Sequence, residues 1–169
     1  WNDLIEAGAA MTKDTDGDGA IDQWGVSAYP SAYMMWWPST WQQGGEWFDA
    51  EFKTCLAESE QSLAGLRHVT DLFQTHRIAP LPGSMQTDPF LTGKVAMAYD
   101  GFWAATMSYA DISEFDWDVA VPPAAPGNAP ITDLEEDAWS IMSGSKQVDA
   151  AWEFVKWLTT GEGGEYNCQ

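Results

Sequence analysis

The stretch Phe90-Leu-Thr-Gly-Lys-Val-Ala-Met-Ala-Tyr-Asp-Gly-Phe-Trp103 decides how the rest of this sequence is interpreted. Residues 95–99 form a short apolar run between turn-forming glycines, which predicts a buried strand. Residues 102–109 predict a helix. Asp100 and Trp103 therefore fall where a strand meets the N-terminus of a helix, which is a common ligand position in α/β folds.

Helices and strands alternate on both sides of this stretch. Apolar residues at helical spacing predict further helices at about 2–13, 33–43, 60–76 and 148–160. Short apolar runs predict strands at 24–29, 117–121 and 138–142, and residues 46–55 predict a small hairpin. The alternation predicts an α/β layered fold, with the Pro-rich, acidic residues 122–136 as the best linker candidate.

The charge balance excludes two classes of partner. The chain has 26 acidic and 7 basic residues, which gives a formal net charge of −19. A field of this sign repels phosphate backbones and anionic lipids, so neither nucleic acid nor a membrane surface is expected as a partner. The 11 tryptophans exceed what an ordinary core needs and indicate a surface that binds something flat and partly apolar.

The cysteines and the chain ends bear on the compartment. Cys55 and Cys168 match neither a zinc spacing nor a redox pair, and a disulfide between them stays open. No apolar run approaches the roughly 18 residues that span a bilayer, and no signal peptide is recognisable. Because Trp1 opens directly into a helical pattern and the last residues run off a helix end, we expect a sequence cut at both ends.

A tryptophan-rich segment provides the first candidate binding surface. Trp36, Trp37 and Trp41 lie close together, and the turn Gly44-Gly45 is followed by Glu46. Sugar rings offer apolar C–H faces flanked by hydroxyl groups; flat indoles cover such faces, while carboxylates bind the hydroxyls. An aromatic core stripe is the alternative, but the density of indoles favours binding.

An acidic loop provides a candidate metal site. Four aspartates follow the first helix at metal-ligand spacing: Asp14, Asp16, Asp18 and Asp22. Oxygen ligands in this pattern, with Gly19 at the bend, suit a hard cation such as calcium and resemble the first half of an EF-hand loop. The twelfth position, however, is Gly25 rather than a bidentate glutamate. A structural calcium ion and an acidic turn without metal are both open interpretations.

The sequence does not support an enzyme. It contains no Gly-x-Ser-x-Gly, no Gly-rich phosphate loop and no His-Glu-x-x-His. Neither His68 nor His76 lies in a metal-binding pattern, and His68 is expected on the surface of its helix.

Four blocks occur along the chain in one order: Trp1-Asn-Asp-Leu-Ile, Trp36-Trp-Pro through Gly44-Gly45, Phe90-Leu-x-Gly-Lys-x-Ala-Met with Gly101-x-Trp103, and Ser143-Gly-Ser-Lys146 followed by Ala150-Ala-Trp-Glu-Phe-Val-Lys-Trp-Leu158. Together they resemble the extracellular solute-binding proteins of carbohydrate ABC importers, the maltose-binding-like group. The resemblance implies a two-lobed α/β fold that closes on a sugar in the cleft between its lobes.

The resemblance also implies a domain organisation and a setting. Residues 1–118 would form most of the second, C-terminal lobe, residues 119–136 the hinge crossover and linker, and residues 137–169 the return to an incomplete first lobe. The protein would be a monomeric binding protein rather than an enzyme, either periplasmic or lipid-anchored at the cell surface. It would deliver sugar to a membrane permease.

The resemblance selects candidate ligand residues. Trp37 and Trp103 fall where the family stacks aromatic rings on sugar, and Gly44 and Gly101 lie in the matching turns. Relatives often have a glycine pair where this chain has Glu136-Asp137-Ala138-Trp139. The predicted ligand-binding set is therefore Trp36, Trp37, Trp41, Gly44, Glu46, Asp100, Gly101, Trp103, Asp137 and Trp139.

Three alternatives stay open at this point. The ligand could be a non-sugar solute such as a polyamine, since acids and aromatic rings together suit a polycation. A glycoside-processing enzyme domain would turn over an oligosaccharide. A calcium-dependent structural module would use the loop from Asp14 to Asp22 to control folding.

Overall fold

The structure is a computed structural model that describes residues 1–27, 35–85, 87–135 and 138–167, the last residue by its backbone only. Four parts of the sequence predictions lie outside the described residues: the end of the strand at 24–29, the start of the helix at 33–43, the ligand candidate Asp137, and Cys168.

The chain divides into two compact units, Trp1–Asp133 and Leu134–Gln169. The first contains α1 (Asn2–Met11), β1 (Trp24–Ser27), α2 (Trp37–Gln42), α3 (Glu60–Gln74), β2 (Val95–Ala98) and a π-helical segment (Ala104–Ser108). The second contains α4 (Val148–Thr159) and α5 (Gly161–Asn167). Among the described residues, no helix is long and apolar enough to cross a membrane.

The two strands pair in parallel. Their register joins Trp24 to Val95, Val26 to Met97 and Ser27 to Ala98. One further hydrogen bond, 3.2 Å from the Tyr99 amide to the Ser27 carbonyl, lies just past the end of β2. Because the strands run in one direction, their carboxyl ends lie side by side at one edge of the sheet.

A pair of glycines brings α1 against the sheet. A Cβ atom on Gly25 would overlap the backbone of Gly8, so this contact requires glycine at position 25. The core around this contact is filled by buried apolar side chains: Leu4, Val26, Val69, Leu72 and Ile78.

A close approach at Gly65 brings α3 against α2. A Cβ atom on Gly65 would lie only 2.7 Å from the Thr40 amide nitrogen. The start of α3 is capped by Ser59, whose hydroxyl oxygen accepts a 3.2 Å hydrogen bond from the Ser62 amide. Since α2 carries Trp37 and Trp41, α3 is the support for the tryptophan-rich segment.

The long predicted helices are confirmed, but two predicted strands are wrong. Residues 117–121 and 138–142 are not in strands, because no described segment pairs with either of them. A strand is held by hydrogen bonds to a neighbour, which an apolar run alone does not provide. The predicted hairpin at 46–55 is reduced to an isolated antiparallel bridge between Phe48 and Cys55.

His68 is buried, contrary to the sequence prediction that it lies on the surface. Its ring stacks on the Trp1 indole with 3.7 Å between ring centroids and 5° between planes. Burial lowers the pKa of His68 to about 4, because a charged imidazolium loses its hydration there.

The residues before Leu134 are held by Gln42, at the end of α2. Its amide oxygen accepts a 2.6 Å hydrogen bond from the Ala125 amide, and its amide nitrogen donates to the Ile131 carbonyl at 3.5 Å. Residues 119–133 of the predicted crossover thus belong to the first compact unit. The assignment of 1–118, 119–136 and 137–169 to lobe, hinge and return segment stays a prediction.

Candidate ligand-binding site

Both predicted binding blocks follow, along the chain, the carboxyl ends of the two strands. The chain leaves β1 after Ser27 and reaches the tryptophan-rich segment, and it leaves β2 after Ala98 and enters Asp100–Trp103. In open α/β sheets, ligands bind outside the carboxyl ends of the strands. Both blocks therefore come after the carboxyl ends of the strands, the first on α2 and the second in the turn that follows β2.

Four indoles form what we call the tryptophan cluster: Trp36, Trp37, Trp41 and Trp47. Trp37 is at its centre, with ring centroids 6.3 Å from Trp41 and 5.8 Å from Trp47. Trp36 meets Trp47 edge-on at 4.4 Å, and its indole nitrogen donates a 3.0 Å hydrogen bond to the Ser62 carbonyl on α3. Trp36 thus anchors the cluster, while Trp37, 36% exposed, presents its ring to solvent.

The end of α2 shapes the rim of the cluster. Gly44 has a backbone φ of +71°, and its amide donates a 2.9 Å hydrogen bond to the Trp41 carbonyl. Glycine adopts this left-handed conformation without steric cost, so it ends the helix here. The next turn exposes Glu46, while the indole nitrogen of Trp47 is buried with no hydrogen-bond partner among the described residues. Trp47 follows Gly45 by two residues in sequence and is a member of the cluster that the predicted ligand-binding set did not include.

Trp103 forms the second aromatic element of the site. Its indole lies over Gly101 so closely that a Cβ atom at position 101 would overlap the ring. The side chain is 52% exposed, and it makes no ring contact with the tryptophan cluster within the described residues. The structure thus places Trp103 and Trp37 at the surface. Within the cluster, Trp36 and Trp37 contact Trp47, and Trp41 contacts Trp37.

Asp100 belongs to a network that the sequence analysis missed in part. Its Oδ1 accepts a 2.8 Å hydrogen bond from the Gly101 amide, and its Oδ2 accepts one of 2.7 Å from the Tyr109 hydroxyl. The same hydroxyl lies 3.0 Å from Oδ2 of Asp88. Burial raises the pKa of Tyr109 well above its ordinary value, and the nearby Asp100 raises it further, so the phenol stays protonated.

The acidic loop brings together three of its four aspartates. Carboxylate oxygens of Asp14, Asp16 and Asp18 all lie within 4.8 Å of one another. Asp14 also accepts hydrogen bonds from the loop amides at positions 17 and 19, at 2.6 and 2.8 Å. Asp22 is turned instead toward Thr15, whose hydroxyl and amide donate to it at 2.6 and 2.7 Å and lower its pKa.

A shallow depression of about 390 Å³ lies near the opposite, amino edge of the sheet. Its lining residues come from the acidic loop and from the segment before β2: Ile21, Asp22, Met85, Thr87, Thr92 and Lys94. Lys94 directly precedes β2, so this depression is separate from the carboxyl edge where the tryptophans follow the strands.

Comparison with protein families decides the identity of the chain. The sequence profile of the bacterial extracellular solute-binding proteins matches residues 1–165. The chain belongs to this family. The resemblance inferred from the four sequence blocks is therefore confirmed. A comparison with curated protein sequences gave no significant match.

Solved structures of solute-binding proteins share the fold of this one. An ABC substrate-binding protein from Listeria monocytogenes in complex with cycloalternan has a TM-score of 0.72 and 22% identity, over 96% of this chain and 40% of that one. A maltose/maltodextrin-binding domain from Bdellovibrio bacteriovorus bound to maltotriose has a TM-score of 0.71 and 23% identity, over 95% of this chain and 43% of that one. An ABC transporter solute-binding protein from Thermotoga lettingae bound with α-D-tagatose has a TM-score of 0.69 and 20% identity, over 98% of this chain and 43% of that one.

These likenesses confirm the predicted α/β fold of a two-lobed binding protein, of which the chain is a part. The chain spans less than half the length of each of these relatives. Among the predicted ligand residues, Trp139 lies in the second compact unit of this solute-binding protein and is 56% exposed. The others that the structure describes lie in the first unit.

Proposed function

We propose that this solute-binding protein is the substrate-binding component of an ABC-type carbohydrate importer. It captures a sugar or oligosaccharide outside the cytoplasmic membrane and delivers it to a membrane permease. One observation carries the proposal: the exposed indoles of Trp37 and Trp103 follow the carboxyl ends of two neighbouring parallel strands.

The chemistry of the exposed groups suits a sugar. An indole covers the apolar C–H face of a pyranose, and Trp37 with its neighbour Trp41 offers such a surface. Glu46, exposed in the turn after Gly44, supplies a carboxylate for the ring hydroxyls. The sugars bound by the three structural relatives support the same ligand class.

The description of the family as extracellular supports the proposed location, and its members' role in binding supports the absence of a catalytic step. The principal rival is a polyamine, because the net charge of −19 attracts polycations. A glycoside-processing domain is the weaker rival, since no catalytic motif is present in the sequence. Sugar is favoured over a polyamine because the candidate site offers the flat faces of exposed indoles, whereas a polyamine would be bound by a ring of carboxylates.

Titration of the chain with a ligand panel tests the proposal. The panel contains maltotriose, cycloalternan, tagatose and spermidine, with calorimetry as the measurement and chromatography of the sugars to detect turnover. We expect one of the sugars to bind without turnover. Trp37→Leu and Trp103→Leu should each weaken binding about tenfold, since each removes an aromatic contact and its buried area.

Trp152→Leu on α4 is the matched control, because Trp152 is also 52% exposed but is not in the predicted ligand-binding set. The Trp152→Leu variant should bind the sugar with the same affinity as the parent chain. Binding of spermidine, with none of the sugars bound, would favour the polyamine alternative. Shortening of maltotriose would show that the protein is an enzyme.

A structural calcium ion is the proposed cofactor. The convergence of Asp14, Asp16 and Asp18 supports it, because carboxylate oxygens within 4.8 Å of one another offer a hard cation several of the oxygen ligands that it requires. Asp22 would join as a ligand only after its hydrogen bonds to Thr15 are exchanged or bridged by water.

A further inference from the structure

Two aspartates hold the turns on either side of β2 in the same way. Asp88 precedes the turn that leads into the strand, and its Oδ1 accepts a 2.8 Å hydrogen bond from the Phe90 amide. Asp100 follows the strand, and its Oδ1 accepts an equally short bond from the Gly101 amide. Each aspartate thus uses one oxygen locally and has its Oδ2 left for another contact.

Both of these Oδ2 atoms approach the hydroxyl group of Tyr109, at 3.0 Å for Asp88 and 2.7 Å for Asp100. Tyr109 is only 5% exposed, and its ring packs on Phe90 and Trp117 with centroids 4.8 and 5.9 Å away. A phenol has a single hydrogen to donate, so the two carboxylate oxygens share it, and the shorter contact to Asp100 is the stronger of the two. We call this group of three residues the tyrosine clasp.

Trp103 lies in the short segment between two members of the clasp. The segment starts at the Asp100–Gly101 turn and ends at Tyr109, whose amide donates a 2.8 Å hydrogen bond to the Ala104 carbonyl. The indole rests over Gly101 and has no aromatic partner among the described residues. Its orientation therefore depends on how firmly the two ends of its segment are held.

We propose that Tyr109 and Asp88 are positioning residues for the ligand platform at Trp103, an inference that rests on the proposed function. Tyr109 is too buried to contact a ligand, so it acts through Asp100 and the Gly101 turn. Both carboxylate oxygens of Asp100 are engaged within the protein. Its contribution to binding is accordingly to fix the turn on which the indole lies.

Tyr109→Phe is the direct test, because it removes one hydroxyl group and leaves the aromatic packing. The measurement is the affinity for whichever panel sugar the parent chain binds. We expect a loss of about fivefold, the change in equilibrium constant that corresponds to one net hydrogen bond. Tyr99→Phe is the matched control, since Tyr99 is a half-buried tyrosine outside the clasp, and its affinity should be unchanged. In a Trp103→Leu background, Tyr109→Phe should have less than half of its effect, because the platform that it positions is gone.

Fluorine NMR of the chain labelled with 5-fluorotryptophan gives a readout that needs no ligand. The Trp103 resonance is assigned by its absence in Trp103→Phe. It should shift in Tyr109→Phe and in Asp88→Asn, which keeps an acceptor for the Phe90 amide, and it should stay in place in Tyr99→Phe.

An unmoved Trp103 resonance in both clasp variants overturns the inference, as does an unchanged sugar affinity in Tyr109→Phe. If Tyr109→Phe does not fold, Asp88→Asn decides both measurements. If the parent chain binds no sugar of the panel, the proposed function fails, while the fluorine resonance still decides whether the clasp positions Trp103.

Discussion

Gly65→Ala is the substitution that most directly tests the support of the tryptophan cluster. In an exposed helix interior this change stabilises by about 1 kcal/mol, because glycine has more backbone freedom to lose. Here the new Cβ atom would lie 2.7 Å from the Thr40 amide nitrogen and 2.9 Å from the Ser39 carbonyl carbon. Both are backbone atoms, so no flexible side chain can move aside, and α2 must shift.

The cost of such overpacking is typically about 1–3 kcal/mol, with backbone contacts at the upper end. After the gain in helix propensity, we expect a net loss of about 1–2 kcal/mol, or a fall in Tm of roughly 2–8 °C for a chain of this size. Sugar affinity should fall with it, because α2 carries Trp37 and Trp41.

Urea unfolding followed by circular dichroism measures the free energy, and Ala64→Gly on the same helix calibrates the propensity component. A Gly65→Ala chain that is more stable than its parent, with unaltered sugar affinity, would refute the packing of α2 against α3 described above.

Two further predictions concern stability. Calcium at a hundredfold excess over its dissociation constant should raise the free energy of unfolding by about 2.7 kcal/mol. Asp16→Asn or a chelator should abolish this gain. An unchanged Tm across millimolar calcium in the parent chain would disprove the site. Burial depresses the pKa of His68 to about 4 from 6.5, so the unfolded chain binds a proton that the folded chain refuses. Stability should therefore fall by about 3 kcal/mol as the pH drops from 6.5 to 4, a component that His68→Phe removes; identical pH profiles for both proteins would contradict it.

Local patterns account for what the sequence predicted correctly. The apolar repeat at helical spacing located α3 and α4, and turn-forming glycines bounded β2, because each pattern is complete within a few residues of chain. The tryptophan cluster was visible for the same reason, since Trp36, Trp37 and Trp41 are neighbours in sequence. Four ordered blocks then identified the family without any contact being known.

Contacts between distant residues account for what it missed. Residues 117–121 have the composition of a strand, but pairing depends on a partner that composition does not reveal. The hydroxyl of Tyr109 joins Asp88 and Asp100, which precede it by 21 and 9 residues, at no spacing that a helix or a strand would mark in the sequence. His68 was assigned to the surface of its helix, whereas the stacking that buries it comes from Trp1, the residue before α1 and distant in sequence.

The parallel pairing of β1 with β2 has a consequence for the order of folding. The crossover between them contains α2 and α3, so the strands meet only after a long loop has closed, and such non-local pairing is slow compared with helix formation. Both aromatic elements of the site follow these strands. A transient opening of the sheet would separate Trp37 from Trp103 in a single event, and a ligand that spans both would hold the strands together. Binding and the pairing of the two strands are in this way linked, so hydrogen exchange at the Trp24 and Tyr99 amides, which donate to the Lys94 and Ser27 carbonyls, should slow when sugar is bound.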